Sequence, residues 1–194
     1  IATTALGTAA AFVLVRHKVV APRFILALFL SPLIVPRMVT AVALFYLFAK
    51  LGLVGTVIGL VIGHVVLALP YVVVTVMSVL KSYDLRLDQA AATLGATPLR
   101  ILRLITLPLL KIGVISAFLF AFVTSFDELT VALFTSAGTV TTLPKAMWSD
   151  LILHVNPTLA AVSTVILVVA TVAVLGSEAI QRRASRHVAD NDRS

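Results

Sequence analysis

Residues 56–80 read TVIGLVIGHVVLALPYVVVTVMSVL, a long apolar run without Asp, Glu, Lys or Arg, in which His64 is the lone histidine. As a helix rising ~1.5 Å per residue, such a run covers the ~30 Å hydrocarbon core of a bilayer. Working outward, four more apolar segments appear, at 1–15 and 24–49 before it and at 112–134 and 158–180 after it. Across the chain 60% of residues are hydrophobic, 12% are charged, and the mean hydropathy is +1.12. A soluble domain lacks the polar surface to hide that much apolar area. The expected fold is therefore an all-α polytopic transmembrane bundle. The first run, Ile1 to Val15, is short for a span and carries no basic leader. It reads as the end of a helix whose start precedes Ile1.

Charge supports the same class. The net charge is +7 and the sequence pI about 10.4. The basic residues flank apolar runs and do not form a tract interleaved with aromatics, so a nucleic-acid grip is not indicated. If successive segments alternate in direction, one side of the membrane receives the 16–23 loop, the 81–111 loop and the 181–194 tail. That side then holds Arg16, Lys18, Arg23, Lys81, Arg86, Arg100, Arg103, Lys111, Arg182, Arg183, Arg186 and Arg193, against Lys50 and Lys145 opposite and Arg37 within a segment. The excess marks it as cytoplasmic. The tail has no apolar period and reads as disordered. Cysteine is absent, which removes disulfides and thiolate chemistry.

Within the segments, Gly55, Gly59 and Gly63 are spaced as a small-residue stripe on one helical face, the pattern that lets helices approach closely in lipid. Pro32, Pro36 and Pro70 are expected to kink their segments.

The polar stretch Lys81–Lys111 is too regular for a plain connector. Asp84 is placed to cap a helix whose apolar stripe is Leu87, Ala90, Ala91 and Leu94. Gly95 stands where a left-handed C-terminal residue belongs, and Thr97-Pro98 opens a second short helix through Ile105, which Pro108 ends. By pattern alone the two helices suit either a partner protein or the lipid headgroups.

These residues resemble a family. Gln89-Ala90-Ala91, Gly95, Ile105, Leu107 and Pro108 match the E-A-A-x3-G-x9-I-x-L-P loop of the binding-protein-dependent (type I, MetI-like) ABC importer permeases, with Gln89 in place of the usual Glu. Ser125-Phe126-Asp127-Glu128, Thr142-Leu143-Pro144 and Asn156-Pro157 are similar to the spermidine/putrescine class of those permeases. The resemblance implies one permease domain over 1–194 with five of six helices present, the first of them partial. It implies that 84–107 are coupling helices docking on separate ABC ATPase subunits, through Leu87, Gln89, Ala90, Ala91, Leu94, Gly95, Ile105, Leu107 and Pro108. It further implies a second permease subunit, an external substrate-binding protein, a bacterial inner-membrane location and a cytoplasmic C-terminus. Gln89 keeps hydrogen-bonding reach but loses the charge of the family's Glu.

Arg37, His64, Asp127 and Glu128 lie within or near the ends of apolar segments, where ionisable groups are costly and usually face a bundle interior or a water-filled path. Asp127 and Glu128 read either as acidic groups along the passage of a cationic substrate, or as an interfacial cap pairing with Arg37. His64 reads as a hydrogen-bonding group inside the bundle, and His154 is given no chemistry. No H-E-x-x-H pair suggests a metal, and no G-x-x-x-x-G-K-[ST] loop could hold ATP phosphates, so no cofactor is expected and ATP would be bound by a partner. The expected function is a translocation subunit and not an enzyme, most consistent with polyamine import. Other solutes of related systems, such as ferric iron or a phosphonate, an ion-coupled secondary carrier and an intramembrane enzyme are the rival readings. The coupling-loop pattern separates the first reading from the secondary carrier, and the spacing of Asp127, Glu128 and His64 gives no reason for them to converge as an enzyme's site would need.

Overall fold

The computed structural model describes residues 1–17, 19–138, 140–153 and 160–172. His154, Asn156, Pro157, the end of the 158–180 segment and the 181–194 tail lie outside the described residues. The chain divides into two compact units, Ile1–Lys145 and Ala146–Ser194. The secondary structure of the described residues is helical, without strands.

The first unit is built on α4 (Val57–Ser82), the helix of the apolar run 56–80. Thr56 starts it, its Oγ1 accepting the Gly59 N–H at 3.0 Å, and Pro70 sits inside it without ending it. Its neighbours are α1 (Ala2–Arg16) and α7 (Leu107–Phe126), which also touch each other. The core between them is Ala11, Ala68, Val72, Val76, Leu80, Leu110, Ala117 and Ala121. Two glycines set the approach. A Cβ on Gly7 would come within 2.5 Å of Val72, and one on Gly113 within 2.6 Å of Val79. Lipid supplies no hydrophobic drive between helices, so such close backbone contact is a main source of their cohesion. A second, smaller core joins Ala41 of α3 (Arg37–Leu51), Leu67 of α4 and Val131 of α8 (Thr130–Thr135).

The kink expected at Pro36 is present, and two other expectations are corrected. The helices α2 (Pro22–Ile34) and α3, which share the 24–49 segment, are bent by 106° across the break at Val35–Pro36. Pro36 has no N–H to give and holds Val35 extended at ψ 132°, whereas Pro32 is absorbed within α2. The 112–134 segment is likewise broken, since α7 ends at Phe126 and α8 begins at Thr130. Finally, Pro108 does not end a short helix at Ile105. The four residues of α6 (Pro98–Ile101) pass through a π-helical turn, Leu102–Thr106, into α7, giving one continuous helix Pro98–Phe126. In a regular α-helix the Pro108 ring would abut the Leu104 carbonyl. The wider turn, in which the Leu107 N–H donates to the Leu102 carbonyl five residues back, relieves that clash.

Among the described residues, two helices are long and apolar enough to cross a membrane, α4 and Pro98–Phe126. The bent α2–α3 pair would count as a third if it acts as one span. After α8, Thr142 precedes α9 (Leu143–Leu153), and the Lys145 ammonium donates to the Ser136 carbonyl at 2.6 Å. In the second unit the helix α10 covers Ala160–Val172.

Candidate functional site

The polar loop between α4 and α7 forms α5 (Arg86–Thr93). Asp84 accepts the Arg86 N–H at 2.9 Å and satisfies one of the donors the first turn leaves open. Gly95 is left-handed at φ +82°, and the helix closes in a Schellman motif: the Ala96 N–H donates to Ala91 at 3.1 Å and the Gly95 N–H to Ala92 at 3.0 Å. No residue of α5 is buried. Gln89 and Ala90 are exposed, Leu87 is 45% exposed and Leu94, just past the helix, 88% exposed. Leucines so open on a short helix in a polar loop form a surface without a partner among the described residues. The rest of the motif stands apart from this surface, for Ile105 lies in the π-turn and Leu107 and Pro108 open α7.

Asp88 was not singled out by the sequence, yet it is the polar centre of the loop. Its Oδ2 accepts from Nη1 of Arg16, the last residue of α1. Its Oδ1 accepts from the Tyr83 hydroxyl at 2.5 Å, at the end of α4, and from the Thr106 hydroxyl at 3.2 Å, in the π-turn. The Arg16 guanidinium lies over the Tyr83 ring at 4.9 Å and the Phe12 ring at 5.9 Å. Burial works to raise the Asp88 carboxyl, but the hydrogen bonds from Tyr83 and Arg16, the Arg16 charge and the Thr106 hydroxyl outweigh it and hold it below the usual carboxylate range. Burial and the bond to Asp88 together push the Tyr83 phenol upward. The ion pair is therefore charged at neutral pH. Adjacency to the Gln89-Ala90-Ala91 motif was the available signal. The partners, 72 and 18 residues away along the chain, left none.

At the opposite end of α4 the predicted acidic pair separates into two roles. Asp127 caps the end of α7 and is exposed. Glu128 is 1% exposed. Its Oε1 accepts the Val131 N–H at 2.8 Å, which caps α8, and its Oε2 stands 3.7 Å from Arg37 Nη1 without a hydrogen bond. His64 meets the Ser125 hydroxyl through Nδ1 at 2.8 Å. Among the described residues no group of three or more His, Cys, Asp or Glu side chains is arranged to hold a metal.

The glycine stripe is also redrawn. Gly55 lies before α4, in a left-handed turn at φ +74°, where its N–H donates to the Thr135 carbonyl at 2.8 Å. It shares no helical face with the other two. A Cβ on Gly59 would meet the Leu53 carbonyl at 2.3 Å, and one on Gly63 would meet Val131 at 2.7 Å. Gly63 thus permits α8 to lie against α4, while Gly59 admits the turn that leads into it.

Comparison with known proteins gives one consistent answer. Residues 3–186 match the family described as binding-protein-dependent transport system inner membrane component. The chain is 34% identical over 179 residues to the spermidine/putrescine transport system permease protein PotC of Escherichia coli K12, covering 92% of this chain and 68% of that protein. It is 36% identical over 173 residues to the putrescine transport system permease protein PotI of the same organism, covering 86% and 62%. It is 31% identical over 186 residues to the molybdenum transport system permease protein ModB of Mycobacterium bovis, covering 88% and 70%. A match over nearly the whole chain, on apolar helices joined by this loop, makes the chain a membrane permease of the binding-protein-dependent ABC importer family.

Proposed function

We propose that this permease carries a polyamine, spermidine or putrescine, delivered by an external binding protein and driven by separate ABC ATPase subunits. The similarity to two polyamine permeases over most of the chain carries this reading. The exposed Asp127 carboxylate at the end of α7 supports it, because a multiply charged cation needs compensating negative charge in a low-dielectric passage. The buried Glu128 does not serve as the passage group, since its carboxylate is committed to α8. A second permease subunit completes the path. The 84–107 loop and the chain's C-terminus face the cytoplasm, in keeping with the basic excess on that side. There α5 docks on an ATPase through Leu87, Leu94 and Gln89, with Ala90 and Ala91 allowing close approach and Gly95 fixing the turn. Ile105, Leu107 and Pro108 act one step behind that surface, at the root of α7. ATP is held by the partner, and this chain contributes gating and no chemistry of its own.

The test is uptake of labelled spermidine and putrescine by the complete transporter in proteoliposomes. ATP-dependent uptake is expected, and Asp127→Asn is expected to cut it about fivefold, on the order of 1 kcal/mol, without loss of assembly. A parent that moves neither polyamine with its own binding protein overturns the substrate assignment. The likeness to a molybdenum permease then makes oxyanion uptake the next measurement.

A further inference from the structure

Nothing in α5 is buried, and the Gly95 turn beyond it is open, with no atom within 4 Å of where a Cβ would stand. Among the described residues, the side-chain hydrogen bonds that tie α5 to the membrane helices all run through one carboxylate, that of Asp88. Three donors reach it from three elements: Arg16 from the end of α1, Tyr83 from the end of α4 and Thr106 from the π-turn that leads into α7. We propose that Asp88 is a positioning residue for transport, a clasp through which movement of α5 is passed to all three helices at once. This rests on the reading of 84–107 as the ATPase-coupling loop.

The form of the clasp suits a moving joint. Arg16 grips through Nη1 alone, and its Nε and Nη2 meet no acceptor among the described residues. Its flat guanidinium lies over two aromatic rings, so it can slide across them while the carboxylate follows. A peg meant only to hold the fold would be expected to use Arg bidentately and to be fully buried. Here Asp88 and Arg16 side chains remain 16% and 20% exposed. The pull has a lever to act on, because Thr106 belongs to the continuous helix Pro98–Phe126, whose far end carries Asp127 and leads into Glu128.

The experiment uses the complete transporter in proteoliposomes, with Asp88→Asn, Arg16→Gln and the double variant. Retained ATPase, ATP hydrolysis and polyamine uptake are measured on each. Each single variant is expected to keep the ATPase and hydrolyse ATP while uptake per ATP falls about tenfold, within the range typical of coupling between sites. The double variant is expected to be no worse than either single one, since both remove one link. Parental uptake per ATP in the single variants, or effects that multiply in the double, overturns the proposal. Loss of the ATPase from both variants also overturns it, by making Asp88 a docking residue. A parent that itself holds no ATPase sinks the coupling-loop reading instead, and that shows before any variant is made. If Asp88→Asn fails to reach the membrane, Asp88→Glu, which keeps the charge but displaces it by a methylene, is read in the same way.

Discussion

The two ends of α4 each carry an acid facing an arginine, and the two pairs are built on opposite terms. At the start of α4, Glu128 is sealed from solvent and spends one oxygen on the backbone of α8, while Arg37 is 53% exposed and stands off at 3.7 Å. At its end, Asp88 is only partly covered and meets its arginine directly, with two hydroxyls as further donors. The first is a helix cap with a distant countercharge. The second is an ion pair that gathers three helices. Proximity in sequence to a basic or acidic neighbour says little about which of the two a carboxylate will become. The deciding factor is which donors the fold brings to it.

That contrast can be broken by stability measurements on the assembled protein in detergent. The largest loss is expected from Glu128→Ala, about 2–3 kcal/mol, because it strips the cap from α8 and leaves a buried N–H without an acceptor. Asp88→Ala, in a partly exposed site, is expected to cost about 1 kcal/mol. Equal losses from the two would erase the distinction between anchor and joint. Tyr83→Phe removes one hydroxyl from the Asp88 cluster and is expected to lower stability by about 0.5–1 kcal/mol, while Arg16 still holds the carboxylate. The smallest effect is expected from Arg37→Gln, under about 0.5 kcal/mol, since a half-exposed side chain at that distance contributes little. A loss from Arg37→Gln as large as that from Glu128→Ala would show that the ion pair, and not the cap, holds Glu128.

Much of the fold was legible because lipid imposes one rule on backbone: satisfy every N–H and C=O internally. Long apolar runs therefore read directly as helices, and α4 follows its run within a few residues. Prolines were read in part: the bend at Pro36 was expected, the passage of a helix through Pro108 was not. Pro36 breaks its segment by 106°, Pro32 and Pro70 ride inside helices, and Pro108 is accommodated by a π-turn. At Pro32 the Ser31 hydroxyl donates to the Leu28 carbonyl that the ring leaves free, at 2.8 Å, a contact that a linear pattern does not contain. The loop helix and its Gly95 turn were readable because local chemistry sets them. Asp88 was not, because its meaning comes from Arg16, Tyr83 and Thr106, and no periodicity links those positions. Gly7 and Gly113 were missed for the same reason: each matters only for the valine that the fold seats against it.

The π-turn at Leu102–Thr106 has a consequence for how this chain tolerates change in length. Its hydrogen-bonded ring holds one residue more than an α-helical ring does, so the segment behaves as a one-residue insertion already accommodated within a helix. Deleting a single residue there would restore the α-helical repeat and leave the flanking stretches near their present register, at the cost of returning the Pro108 ring toward a carbonyl four residues back. A deletion elsewhere in Pro98–Phe126 would instead swing everything upstream by about 100° and draw it in by about 1.5 Å. Length variation among chains of this kind is thus expected to be tolerated best at this turn, where the angle at which the loop helix meets whatever lies beneath it is kept.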